Sequence, residues 1–245
     1  MNPAEYERMF ALEDDYWWFV ARRRLATALM ETYGPTDADR VAMDIGCGTG
    51  AATLQLRQTW RVIGVDMNAD ALRFSQSRGL TDMVQGSGEQ LPLACDSVHG
   101  AMGLDVFEHI PDDRAAFAEC FRVLKPGGIL VLSVPAFRWL WGPHDVALHH
   151  HRRYTAPEAR QKLTACGFDV IRCGYSIFTL FPLVLASRVI EKLRPGPARA
   201  SLPKVNDGLN RALIRLQARE TAQIVDRRRD LPWGSSVITV ARKPG

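Results

Sequence analysis

The sequence predicts an α/β fold built on a doubly wound, seven-stranded sheet with helices on both faces. Two observations carry that prediction. Short apolar or β-branched runs recur at 41–45, 61–65, 81–85, 98–104 and 128–134, each separated from the next by room for a helix, and strand–helix alternation implies a parallel sheet covered on both sides. The first run, VAMDI, breaks at once into the turn GCGTG at 46–50 and then a helix start of small residues, the usual passage from strand to helix around a bound nucleotide.

Taken in order, residues 4–33 read as two helical pieces carrying Tyr16, Trp17, Trp18 and Phe19 and ending at Gly34-Pro35, a helical cap over 1–35. The alternating core occupies 40–135. A substrate-side segment and a sixth strand, DVIRCGY at 169–175, fill 136–175. The last strand falls in SSVITVARK within 235–245, after the turn DLPWG. Between these two strands lie about sixty residues, far more than a connection needs, so 176–234 is a helical insertion. It holds the apolar stretch YSIFTLFPLVLASRVIEKLR, a Pro/Gly-rich linker at 195–203 and the charged helix NDGLNRALIRLQARETAQIVDRRR. A single domain over 1–245 is expected.

Composition narrows the function classes. A formal net charge of +4 over 245 residues is too weak a surplus to imply nucleic acid. Five cysteines (47, 95, 120, 166, 173) without a CxxC pair suggest neither a disulfide framework nor a thiolate zinc site, and fit a reducing cytoplasm. The start of the chain is acidic where a secretory signal is basic, and nothing reaches the roughly 20 apolar residues of a membrane span.

Gly46-x-Gly48-x-x-Ala51 satisfies the dinucleotide fingerprint, and Asp66 lies at the end of the second strand, where a carboxylate accepts hydrogen bonds from ribose hydroxyls,. The loop alone leaves NAD open. Its company narrows the choice: Asp44 before the first glycine, a third glycine at 50, GSGEQLPL at 86–93, LDVFEHIPD at 104–112 and VLKPGGIL at 123–130. Together these resemble class I S-adenosylmethionine-dependent methyltransferases, nearest to the type 11 and type 23 small-molecule enzymes, over residues 40–135.

The resemblance implies a Rossmann-like sheet with an antiparallel last strand and S-adenosyl-L-methionine as cofactor. By position, Asp44 and the backbone of Gly46, Gly48 and Gly50 surround its methionine portion, Asp66 holds the ribose, Met67 lies against adenine, and Leu104 offers backbone near the amino group. Ser87 stands where the family commonly has an acidic residue for the adenine amino group. Either the serine hydroxyl accepts that bond more weakly, or adenine is held mainly by stacking and by the backbones of Gly88 and Glu89. Lys125 to Gly128 read as fold punctuation, and Cys47 as a small residue without an activating partner.

The stretch EDDYWWFVARRR offers aromatic faces to a sulfonium and arginine to a carboxylate,. Packing on the sheet is the plainer role for these rings. The expectation is that Tyr16 or Trp18 touches the cofactor and that Arg22 lies near its carboxylate.

The segment PAFRWLWGPHDVALHHHRRYTAPEARQKLTACGF lies where the family places substrate and acid–base groups. His144, followed by Asp145 as an orienting carboxylate, and His150 are the catalytic candidates, because histidine moves protons at neutral pH. Arg152, Tyr154 and His109 are the substrate-side candidates. Thr155 with Glu158 also reads as a helix capping box. No metal is expected, since adjacent histidines diverge and no carboxylate is spaced as in zinc signatures.

The insertion is either an apolar lid or a helix pair completing the core or a dimer, so monomer and homodimer both stand. The uncharged run from Gly174 to Ser187, interrupted by Pro182, suits a buried or interfacial helix, with Arg188, Lys192 and Arg194 near lipid headgroups and peripheral membrane contact through 175–194. The expected activity is methyl transfer by in-line displacement to oxygen, nitrogen or carbon of a small, hydrophobic or carboxylated metabolite. A noncatalytic cofactor-binding protein and an NAD-dependent oxidoreductase are the alternatives. LDVF stands where base-amino methyltransferases carry Asp/Asn-Pro-Pro-aromatic, and no Pro-Cys motif occurs, so nucleic acid is not the expected substrate.

Overall fold

A computed structural model describes residues 3–193 and 203–245. Seven strands form one sheet in the order β3-β2-β1-β4-β5-β7-β6: β1 (Val41–Ile45), β2 (Arg61–Asp66), β3 (Met83–Gln85), β4 (Val98–Leu104), β5 (Leu124–Pro135), β6 (Asp169–Ser176) and β7 (Ser236–Arg242). The first five are mutually parallel, and β7 runs antiparallel between β5 and β6. The sequence places all seven. β5 begins earlier than the run at 128–134, because Leu124 already pairs with Val98 before an irregularity at the glycine pair, where Gly127 has φ 80°.

Strand side chains alternate between faces, and the sheet separates two apolar layers. Met43, Ile45, Leu130 and Leu132 meet Phe107, Phe117 and Leu163 on one side. Ala42, Met102, Val131 and Val240 meet Leu25, Leu29 and Met30 on the other. The connecting helices are α3 (Ala51–Leu56), α4 (Ala69–Ser77), α5 (Asp113–Val123), α6 (Pro143–Ala147) and α7 (Ala156–Ala165). Asn68 and Asp112 cap α4 and α5 through side-chain oxygens, and the Thr155–Glu158 capping box starts α7 as expected,.

The amino-terminal region is two helices, α1 (Pro3–Leu12) and α2 (Trp17–Tyr33). The insertion supplies α8 (Phe181–Leu193) and α9 (Asp207–Val225); Arg194 and linker residues 195–202 lie outside the described residues. The α1–α2 junction is fastened to the insertion: the Tyr16 hydroxyl donates to the Pro203 carbonyl at 2.9 Å, the Trp17 amide to Asn210 Oδ1 at 2.8 Å, and Asn210 Nδ2 to the Asp15 carbonyl at 2.8 Å. The Glu220 carboxylate of α9 accepts from the Phe178 and Thr179 amides and the Thr179 hydroxyl, pinning the start of the insertion. Among the described residues no helix is long and apolar enough to cross a membrane.

Candidate active site

Ligands of doubly wound sheets bind beyond the carboxyl ends of the strands, and here β1, β2 and β4 end in one cavity of about 900 Å³, near the top of the range for small-molecule sites. At its β1 side, Gly46 and Gly48 take φ 65° and 55°. A side chain at Gly46 would clash with Val106 Cγ2, so only glycine keeps the loop flat against a ligand. Asp66 closes β2. Its Oδ2 accepts from the Gly48 amide and its Oδ1 from the Asn68 amide, both at 2.9 Å, which leaves acceptor capacity for a diol. Burial raises its pKa, and those two backbone bonds oppose the rise.

Asp44 is buried with Oδ2 accepting from the Thr53 hydroxyl at 2.6 Å. Burial pushes its carboxyl up to about 7, against that bond. Met67 is 73% exposed beside the cavity, an apolar side chain poised to cover a flat ring. These features fit an adenosyl ligand: a glycine cradle, a carboxylate with free lone pairs, and an apolar cover.

Eleven of the twelve expected cofactor residues border this cavity: Trp18, Arg22, Asp44, Gly46, Gly48, Asp66, Met67, Ser87, Gly88, Glu89 and Leu104. Gly50 does not. It is the left-handed residue ahead of α3, and a side chain there would meet Leu80 and Ser75. Ser87 Oγ already accepts from the Glu89 amide at 3.2 Å, and Glu89 Oε1 from the Asp112 amide at 2.9 Å. Arg22 forms an ion pair with Asp105 and lies 4.5 Å over the Trp18 ring, while its Nε is buried without a partner. Its charge is thus matched from within the protein. Cys47 is held as an unreactive thiol, its pKa raised by burial.

At the far end the cavity meets His109, His144, His149, His150 and His151. The orienting carboxylate works differently from the sequence expectation: Asp145 follows His144 but bonds His150, with Oδ1 accepting from Nδ1 at 2.9 Å. Arg153 grips the same carboxylate twice, Nε to Oδ1 at 2.7 Å and Nη2 to Oδ2 at 3.0 Å. Burial alone would raise Asp145, yet the His150 and Arg153 bonds hold it well below the usual carboxylate range. Against that carboxylate the ring Nδ1 is the donor, which leaves Nε2 on the side of Glu108, 4.0 Å from its Oε1. Burial draws His109 down to about 3, helped by His150, and His144 down to about 4, helped by Arg188.

Two substrate-side candidates lie elsewhere. Tyr154 is wholly buried, its hydroxyl donating to Asp113 at 2.8 Å, and Arg152 pairs with the same carboxylate at 3.1 Å; neither borders the cavity. Both serve to join the chain before α7 to α5. Residues the sequence reading passed over are Glu108, wholly buried in the 3-10 turn Phe107–His109, together with Arg153 and Asp105. A charge set inside an apolar turn was the available signal for Glu108; nothing local marked Arg153. Three non-glycine residues with positive φ, Asp105, His149 and Ile177, also border the cavity, where backbone strain tends to collect.

Comparison with known proteins agrees with this geometry. Residues 43–132 match the family described as methyltransferase domain. A Mycolicibacterium smegmatis protein named as a probable S-adenosylmethionine-dependent methyltransferase is 32% identical over 163 residues, covering 64% of this chain and 61% of that protein. A Mycobacterium bovis protein named as an uncharacterized methyltransferase is 33% identical over 156 residues, covering 61% and 58%. The chain thus spans about three fifths of the length of these relatives. In fold it is similar to a Haloferax volcanii protein solved with the Trm112 methyltransferase activator, with a TM-score of 0.65 at 22% identity, covering 99% of this chain and 95% of the other.

Proposed function

We propose that the chain, whose residues 43–132 match the methyltransferase domain family, is a class I S-adenosylmethionine-dependent methyltransferase of the type 11 family, and that it methylates a small metabolite held at the histidine end of its cavity. S-adenosylmethionine, when bound, supplies a methyl group made electrophilic by its sulfonium. Asp66 and the Gly46–Gly48 backbone bind the nucleoside, Asp44 takes the amino group, and the walls between them and His150 hold methyl and acceptor in line. An oxygen or nitrogen acceptor passes its proton to Nε2 of His150, whose ring Asp145 fixes,. The acceptor–carbon bond forms, the carbon–sulfur bond breaks, and its electron pair stays on sulfur.

One observation carries this reading: a single cavity runs from Asp66 to an imidazole whose second nitrogen is locked onto a carboxylate. A purely cofactor-binding protein has no use for that lock. The cavity walls also favour a partly apolar acceptor, with Ile110, Ile177 and Val184 contributing. The five free cysteines support a cytoplasmic setting, and the charge balance supports a substrate other than nucleic acid.

The test is calorimetry followed by turnover. S-adenosylhomocysteine binds and NAD does not; then a methyl-labelled donor incubated with a fractionated metabolite extract labels a small molecule. Binding of NAD in preference, or no labelled product in any fraction, rejects the proposal.

A further inference from the structure

Glu108 has no exposed surface, and neither of its carboxylate oxygens has a hydrogen-bond partner among the described residues. A carboxylate is not left so without a cation or a proton to answer it. Two histidines lie beside it, with Asp105, Arg22 and Arg153 also within electrostatic reach. One ligand atom each from Glu108, His109 and His150 lie within 4.8 Å of one another, with His150 Nε2 at 4.0 Å from Glu108 Oε1.

The surroundings are arranged as they are around a metal ion. The Nδ1–H of His150 is held by Asp145, and Asp145 by Arg153, which is the carboxylate–histidine pairing that fixes the tautomer of a ligating ring. The segments carrying the ligands are tied by backbone, the His151 amide donating to the Glu108 carbonyl at 2.7 Å. Charge is apportioned to suit: Arg153 answers Asp145, Arg22 answers Asp105, and Glu108 is left over for a cation. Adjacent histidines do diverge along the chain, but the fold draws His150 to the turn that carries Glu108 and His109.

We propose that Glu108, His109 and His150 bind a divalent transition metal ion, zinc or one of its first-row neighbours, at the acceptor end of the cavity. The donor set of two imidazoles and one carboxylate is that of borderline ions. Bonds of about 2.0–2.1 Å place ligand atoms about 3 to 3.5 Å apart, so the three side chains draw in slightly on binding. Three protein ligands leave positions open to water or to an acceptor oxygen. The inference rests on the methyl-transfer reading of this cavity and narrows its substrate to an acceptor presenting oxygen. With Nε2 of His150 on the ion, an acceptor hydroxyl coordinated there gives its proton to water and not to that ring, as it would without metal, and its oxygen then forms the bond to the methyl carbon as the carbon–sulfur bond breaks.

The test is titration of the chelator-treated full chain with Zn²⁺, and with Co²⁺ read by its visible d–d absorption. One equivalent of Zn²⁺ per chain is expected, with an intense Co²⁺ band. Asp145→Asn lowers metal affinity by about 10- to 100-fold, and Glu108→Gln and His150→Asn lower it further, while S-adenosylhomocysteine binding persists in all three. Substoichiometric uptake, or equal uptake by wild type and the Glu108→Gln and His150→Asn variants, overturns the site. Should those variants not fold, crystals of the wild type soaked in zinc decide: an anomalous peak between Glu108, His109 and His150 supports the site, and a peak elsewhere or none overturns it. Cofactor binding without metal uptake removes the metal and leaves methyl transfer standing; metal uptake without cofactor binding does the reverse.

Discussion

Asp145 stands next to His144 in the chain, yet its carboxylate holds the ring of His150, five residues on, at 2.9 Å. Only a turn of α6 brings this about, with the Gly142 amide donating to Asp145 Oδ2 at 2.9 Å and the His150 amide to the Asp145 carbonyl at 2.9 Å. Replacing Asp145 by Asn frees the imidazole to take the other tautomer. Methyl transfer to an oxygen or nitrogen acceptor falls by roughly 10²–10⁴-fold in kcat, the span of general-base catalysis, while S-adenosylhomocysteine affinity holds. Removing the carboxylate altogether with Asp145→Ala leaves Arg153 buried without its partner and costs about 3–5 kcal/mol of stability, read by denaturant unfolding.

Asp66 is the second target. It accepts from two backbone amides and keeps lone pairs for a diol. Asp66→Asn loses charge-assisted bonds worth about 1.5–3 kcal/mol, so calorimetry gives a weaker S-adenosylhomocysteine complex by about 10- to 100-fold. Unaltered affinity would mean that the ribose lies elsewhere.

A pH dependence follows from Asp44. Burial raises its pKa in the ligand-free protein to about 7, and an ammonium group beside it favours the carboxylate, so binding is linked to proton release. Affinity for S-adenosylhomocysteine therefore declines as pH falls below about 7, and Asp44→Asn flattens the profile. The sign for stability is opposite. A raised folded pKa means the ligand-free protein gains stability from this group as pH drops through 7, and thermal melts at pH 8 and pH 6 check it.

Tyr154→Phe should leave KM for the acceptor unchanged, because the hydroxyl faces Asp113 and not the cavity. The cost is about 1 kcal/mol of stability, softened because Lys162 still donates to Asp113 at 2.5 Å. A raised KM without loss of stability would return Tyr154 to the substrate.

Helix α8 turns Val184 and Ser187 to the cavity and leaves Leu183, Val189 and Ile190 exposed at 68%, 47% and 58%. An apolar face of this kind is suited to a membrane surface. Flotation with anionic vesicles should carry the protein upward, and Val189→Glu with Ile190→Glu should leave it at the bottom. Wild-type protein that stays down removes membrane contact.

The strands and the glycine loop were legible in the residues because both are local: short apolar runs bounded by turns make buried strands, and the left-handed turn at Gly46 and Gly48 demands glycine. Asp66 was legible because it ends a strand at a fixed remove from that loop. The acceptor end was not. Whether His150 or His144 meets Asp145, and whether Tyr154 faces ligand or core, depends on how a short helix and a loop close onto the turn after β4. Spacing along the chain carries no record of that closure. Arg22 shows the same limit, since its nearest carboxylate is Asp105, contributed by a different strand end.

The bond from Tyr16 to the Pro203 carbonyl spans 187 positions of sequence, and its neighbours at Trp17 and Asn210 double it. It clasps the two halves of the roof above the cavity, one from each side of the sheet's chain order. Three hydrogen bonds, each of modest worth, hold that covering together far from the chemistry. Asn210 alone makes two of the three, so the seam between the chain's beginning and its late insertion hangs on one amide side chain.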